Sequence, residues 1–124
     1  MFGIPSRLSE SAFVLLRVMA GLLFAEHGLQ KTFGLIGGTR MPLASEPGVA
    51  GVIELVAGLM IALGVRPRWA AFIAAGEMAF AYFTVHARAG FWPVQNHGEL
   101  AVLYCFVFLF IAAHGGGKLT LTRD

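Results

Sequence analysis

Cysteine is nearly missing from this chain: Cys105 stands alone among 124 residues. No internal disulfide, CxxC pair or cysteine-based metal cluster can form, and Cys105 reads as a small apolar residue inside a helix. Charge is scarce as well, at 13% of residues, with a net balance of only +2. No run of five or more Lys or Arg occurs, so the electrostatic footprint of a nucleic-acid binder is absent. A water-soluble domain of this length needs more polar surface than that. Internal repeats are lacking, and the length suits one domain with no room for a second.

What is present is apolar. Hydrophobic residues make up 57% of the chain, and eleven Phe and sixteen Gly fit helices packed closely in lipid. The mean hydropathy is +0.75. Four apolar segments emerge, at about residues 9–33, 47–63, 68–88 and 97–114. A hydrocarbon core of ~30 Å takes ~20 helical residues, and all four lie near that length. The breaks between them are chemical. Gly34, Gly37, Gly38 and Pro42 end the first, and Pro47-Gly48 opens the second. Gly64 to Pro67 forms a tight turn, Gly90 to Pro93 closes the third segment, and Gly115 to Gly117 ends the fourth. Arg17 interrupts the first run and three more follow it, so that run reads as a retained span rather than a signal peptide. The pattern predicts an all-α integral membrane four-helix bundle.

Orientation follows from basic residues in the flanks. Arg7, Arg66, Arg68, Lys118 and Arg123 lie on the side of both termini, against Lys31, Arg40 and Arg88 on the other. Five against three places both termini in the cytoplasm. Trp69 then marks the inner interface, and Phe91 with Trp92 the outer one.

Ionisable side chains inside the apolar segments carry the most information. A charge at the bilayer centre costs at least ~2.5 kcal/mol on insertion scales. In the first span Arg17, Gly21, Phe24, Gly28 and Lys31 share a face at spacing 4, 3, 4, 3, with His27 at its flank. In the second, Gly51, Glu54, Gly58 and Ala62 share one, and in the third Ala70, Ala74, Glu77 and Ala81 do so. Charged groups on small-residue stripes face protein rather than lipid. On a regular helix His86 points away from Glu77.

Depth then sorts these groups. At ~1.5 Å per residue, Arg17 and Glu77 lie ~12 and ~13 Å from the same membrane side, which predicts a deep ion pair Arg17–Glu77 (or Arg17–Glu54). His27, Lys31, Glu54 and His86 form a shallower group near the outer face. His27 and Lys31 read either as interface residues or as donors to an oxygen acceptor such as a quinone carbonyl, with Glu54 modulating their charge. Two histidines without a third local ligand define no metal site. Asn96 and Glu99 read as an N-cap and its acidic partner, a variant of the capping box, with His97 facing solvent in the same loop.

With these residues in view the chain resembles the DoxX family over nearly its whole length. The likeness rests on Arg17-x3-Gly-x2-Phe-x2-His27-Gly-x2-Lys31, Gly51-Val-Ile-Glu54-x3-Gly58 and Leu63-Gly-Val-Arg66-Pro-Arg68-Trp-Ala-Ala. Ala81-Tyr-Phe-x2-His86 and Gly90-Phe-Trp-Pro-x2-Asn-x2-Glu99-Leu-Ala complete it. The resemblance implies a four-helix protein of the bacterial cytoplasmic (inner) membrane. Some members are described as subunits of a thiosulfate:quinone oxidoreductase, and others are linked to a membrane-associated oxidoreductase complex in redox stress and sulfur metabolism. Its polar positions here are Arg17, His27, Lys31, Glu54, His86 and Glu99. Related four-helix redox proteins that exchange disulfides use cysteine pairs, which this chain lacks.

Two functions are therefore expected. In one, the chain is the membrane subunit of a redox system, contacting quinone or passing electrons through a partner that holds any flavin or metal. In the other, it is a non-enzymatic scaffold, or a small-solute or lipid-handling protein whose buried charges are structural pairs. Four short helices bury little surface alone, so a homo-oligomer or a complex is expected in either case, with the lipid bilayer as a constant partner.

Overall fold

Glycine and proline set the helix ends. In a computed structural model, which describes residue 3 and residues 5–123, every regular element among the described residues is helical. Helix α1 covers Ser6–Phe33 and stops at Gly34, whose left-handed φ of 70° lets its own N–H reach the Gln30 carbonyl and the Leu35 N–H reach the Leu29 carbonyl. Helix α2 covers Glu46–Leu63. The Ser45 hydroxyl caps it by accepting the Gly48 N–H at 3.1 Å, and Gly64 ends it in the same left-handed way, with φ 74°. Helix α3 covers Pro67–Ala81 and opens on Pro67, where a missing N–H costs nothing. It runs on through a π turn at Tyr82–His86 and a 3-10 turn at Ala87–Ala89. A short helix α4, Pro93–Asn96, precedes α5, Glu99–His114.

Three of these stretches are long and apolar enough to cross a membrane: Ser6–Phe33, Glu46–Leu63 and the continuous Pro67–Ala89. Helix α5 is apolar but only sixteen residues long, short of the ~20 that ~30 Å of hydrocarbon takes. The sequence places this span's start at residue 97, whereas the chain bends at His97, φ +62°, and the helix begins at Glu99. Large apolar side chains cover the outside. Leu15, Phe83 and Phe106 are each more than 60% exposed, as lipid-facing residues must be in a bundle with so few charges. This is a membrane-embedded helical bundle in contact with lipid.

Inside, α1 packs chiefly on α2 and α3 on α5, while α2–α3 and α1–α5 contacts close the ring. The α1–α2 seam is the tightest. A Cβ on Gly21 would lie 2.6 Å from the Ala62 nitrogen and the Gly58 oxygen, and one on Gly58 would lie 2.6 Å from the Ala25 nitrogen. Backbone thus meets backbone along the stripe. Alanines do the equivalent for α3, where Ala70, Ala71, Ala74 and Ala75 are buried against Phe108 and Ile111 of α5.

Arg17 closes the end that holds both termini. It is 1% exposed. Its guanidinium donates to the carbonyls of Gly116, Lys118 (2.9 Å), Leu119 (2.9 Å) and Ala62 (3.4 Å). Residues after α5 thus fold back under the bundle. Leu121 and Thr122 also donate their N–H groups to the Gly64 carbonyl at 3.1 Å each. Arg68 meets the orphan carbonyls of Ala112, Ala113 and His114 at the α5 C-terminus, where a cation suits the helix dipole.

Gly58→Leu pries α1 from α2 and abolishes a monodisperse, cooperatively melting protein in detergent. Gly76→Ala, where an added Cβ meets nothing within 4 Å, leaves the fold intact and raises stability by about 0.5–1 kcal/mol. At Arg17 the planar fork matters as well as the charge. Arg17→Lys lowers stability by about 3 kcal/mol through stranded carbonyls and exposes the chain at Lys118 to trypsin, measured by thermal melts and limited proteolysis.

Candidate functional site

A cavity of about 310 Å³ lies between the helices, nearer the end opposite the termini. Its apolar wall comes from Phe24, Met78, Leu100 and Ala101. Its polar groups are His27 and Lys31 on α1, Glu54 on α2, His86 on the π turn, His97 in the bend and Tyr104 on α5. The four residues expected to form the shallow polar group, His27, Lys31, Glu54 and His86, therefore all reach one chamber.

The reasons are local. Gly28 and Gly51 on the α1–α2 seam bring Lys31 next to Glu54, and the Lys31 ammonium donates to Glu54 Oε1 at 2.8 Å. Glu54 is almost wholly buried, while the Lys31 side chain keeps 32% of its surface exposed. The ammonium therefore bridges the chamber and the outside. His27 stands edge-on to Tyr104, with ring centres 6.1 Å apart, and Tyr104 stacks on Phe108 at 5.4 Å. A π turn widens the helix by one residue and is frequent at functional sites; here it carries Tyr82 and His86. The His86 Nδ1 lies 3.2 Å from the Asn96 carbonyl.

Asn96 does something other than capping. Gly98, not Asn96, is the N-cap of α5, and no side chain caps that helix. Asn96 is 2% exposed. Its side-chain oxygen accepts the Gly98 N–H at 2.8 Å, and its amide donates to the Tyr82 hydroxyl at 3.1 Å and the Gly90 carbonyl at 3.0 Å. The amide thus ties the π turn, the loop at Gly90 and the start of α5 together, and the bend at His97 puts Glu99 in the first turn of α5, one residue after the cap. His97 is exposed, as the sequence suggests, but it also lines the cavity and so stands at its opening.

The Arg17–Glu77 ion pair does not form. Helices α1 and α3 stand on the diagonal of the bundle, and the Arg17 hydrogen bonds go to main-chain carbonyls. Nor does Arg17 pair with Glu54, which is held by Lys31. Glu77 turns instead to Glu54, its carboxyl within hydrogen-bonding reach. It lines a second space of about 670 Å³, a cleft between α2 and α3 walled by Val49, Ala50, Ile53, Ile73 and Phe80. Glu77 and His86 thus face different chambers, in line with their spacing. Sequence reading left Tyr104 out of the site. A tyrosine in an apolar helix whose other aromatic residues, Phe106, Phe108 and Phe110, are all phenylalanine was the available signal.

The DoxX family profile matches residues 12–87, a stretch that holds Arg17, His27, Lys31, Glu54, Glu77 and His86. The chain belongs to the DoxX family. It is similar to an uncharacterized protein of Haemophilus influenzae, 38% identical over 113 residues that cover 86% of this chain and 84% of the relative. No solved structure matches it. Within the family stretch lie the seam glycines and the Lys31–Glu54 bridge, whereas His97 and Tyr104 come from beyond it.

Among the described residues no group of three or more His, Cys, Asp or Glu is placed to hold a metal ion. What the arrangement offers is hydrogen-bond donors and one cation converging on a ring-sized apolar space. The bridge gives a direct check. Lys31→Met strands a buried carboxylate and lowers stability by about 3 kcal/mol in thermal melts; Lys31→Met with Glu54→Leu, which removes both charges, recovers most of that loss.

Proposed function

We propose that the central cavity receives the oxygen-bearing ring of a lipid-soluble quinone, and that the chain is the membrane subunit of a redox system. The observation that carries this reading is the convergence of His27, Lys31 and His86 on one apolar chamber inside a lipid-embedded bundle. A quinone ring needs flat apolar walls, which Phe24 and Tyr104 offer, and donors at its carbonyl oxygens, which the histidines and Lys31 offer. When bound, the quinone supplies the electron-accepting ring. Lys31 sets a positive charge beside oxygens that gain electron density, and Glu54 fixes the ammonium in place. Phe24, Met78 and Leu100 give the chamber its apolar lining.

Electrons then enter from a partner protein, in a complex of the sulfur-oxidising or redox-stress kind to which some family members are linked. The setting is a bacterial inner membrane with both termini in the cytoplasm, in accord with the basic flanks. The chain works there as a homo-oligomer or within a complex.

A second reading, a scaffold or a solute- or lipid-handling protein with structural charges, draws support from Arg17. That residue spends its guanidinium on main-chain carbonyls and on no chemistry. Titration of a short-chain ubiquinone analogue into the protein in lipid nanodiscs separates the two. The quinone reading expects saturable binding that weakens about tenfold, the worth of one hydrogen bond, in His27→Ala and in His86→Ala, with unchanged melting curves. No binding, or binding indifferent to both substitutions, favours the scaffold.

A further inference from the structure

Three carboxylate oxygens in the interior of this bundle have no hydrogen-bond donor. Glu54 Oε2 and both oxygens of Glu77 are buried and unpartnered, while Glu54 Oε1 takes the ammonium of Lys31 at 2.8 Å. Glu54 is 1% exposed. The two carboxyl groups lie within hydrogen-bonding reach of each other. Ionised carboxylates only accept, so such a contact closes only when a proton lies between them. Charge counting agrees. One ammonium against two carboxylates in a low-dielectric interior leaves a net negative charge, and a single proton removes it.

The placement of the pair gives it a direction. Glu54 lines the central cavity and Glu77 lines the cleft between α2 and α3. Lys31, Ala81 and Val85 line both, and so form the partition. The titratable groups around the pair are His27 and Lys31 from α1, His86 from the π turn, His97 from the bend and Tyr104 from α5 on the cavity side, with Glu46 at the start of α2 on the cleft side. Glu46 is exposed, as a group at a cleft mouth must be to meet water.

We propose that Glu54 and Glu77 share one exchangeable proton, making this carboxyl pair a proton-exchange site between the lateral cleft and the central cavity. A proton arriving on Glu77 from the cleft displaces the shared proton towards Glu54, which can release it into the cavity. One proton enters and one leaves, and Lys31 keeps its charge throughout. Delivery of that proton to a quinone oxygen rests on the reading given above; the shared proton itself does not.

Infrared spectra of the whole chain in lipid nanodiscs, with no quinone present, test this. The wild-type protein at neutral pH shows a protonated-carboxyl C=O band that shifts in D2O. Glu54→Gln and Glu77→Gln each remove the band, because the remaining carboxylate then faces Lys31 alone, whereas Glu99→Gln keeps it. A wild-type spectrum without the band, or a band that survives both substitutions, overturns the proposal. A band lost in only one of them assigns the proton to that residue alone and overturns the sharing. Where a Gln variant fails to fold, the Asp variant of the same residue must shift the band, and an unmoved band overturns it too. Ala50→Phe, which fills the cleft and does not line the cavity, slows the isotope exchange severalfold; an unchanged rate overturns the cleft as the route. Since no quinone is used, failure of the quinone titration leaves these outcomes standing.

Discussion

The contact of α1 with α2, main chain against main chain, governs the rest of this molecule. Gly21 and Gly28 on one side and Gly51 and Gly58 on the other leave no room for a Cβ. The same faces carry Arg17 and Lys31 on α1, and Glu54 and Ala62 on α2. Close approach therefore sets two polar contacts at once: Lys31 with the Glu54 carboxylate, and Arg17 with the Ala62 carbonyl. Long side chains can then be spent on chemistry or on clamping rather than on bridging a wider gap. The opposite pair, α3 and α5, uses alanines against Phe108 and Ile111, which leaves the space between the pairs free to become cavities.

Arg17 and Lys31, the two cations on the seam face of α1, are neutralised in different ways, and the difference follows from their shapes. Guanidinium spreads its donors over a plane and can serve several carbonyls at once, so Arg17 gathers main-chain oxygens from the folded-back tail and the end of α2. Carbonyl dipoles at a helix C-terminus already carry partial negative charge. Ammonium is a compact point charge that suits one carboxylate, and Lys31 takes Glu54. The first arrangement occupies both terminal nitrogens of the guanidinium and leaves the buried Nε without a partner. The second leaves an excess of carboxylate oxygens beside two chambers.

Much of this was legible in the residues. Gly34, Pro47, Gly64 and Pro67 end or start helices through backbone chemistry that acts locally, so the element limits agree within a few residues. The stripes were legible because glycine and alanine on one helical face have few other uses in lipid. Depth along the spans, rather than the stripes, groups His27, Lys31, Glu54 and His86 near the outer face. The partner of Arg17 could not be found this way, since carbonyl oxygens belong to every residue and leave no mark in a sequence. Depth arithmetic pointed to Glu77, and only the diagonal placement of α1 and α3 shows why that pair is out of reach. Asn96 was misread for a related reason: its spacing from Glu99 suits a cap, but its amide is drawn inward by Tyr82 and Gly90.

The Arg17 clamp also bears on how such a protein is made. Its carbonyl partners in the tail lie 99 to 102 residues downstream. During synthesis the first helix must enter or approach the bilayer long before those oxygens leave the ribosome. A cation without ligands is then held at the headgroup boundary, at the translocon, or by water drawn in beside it. Final seating of the first helix becomes a late event, completed by the segment that follows α5, and that segment acts as the latch of membrane assembly.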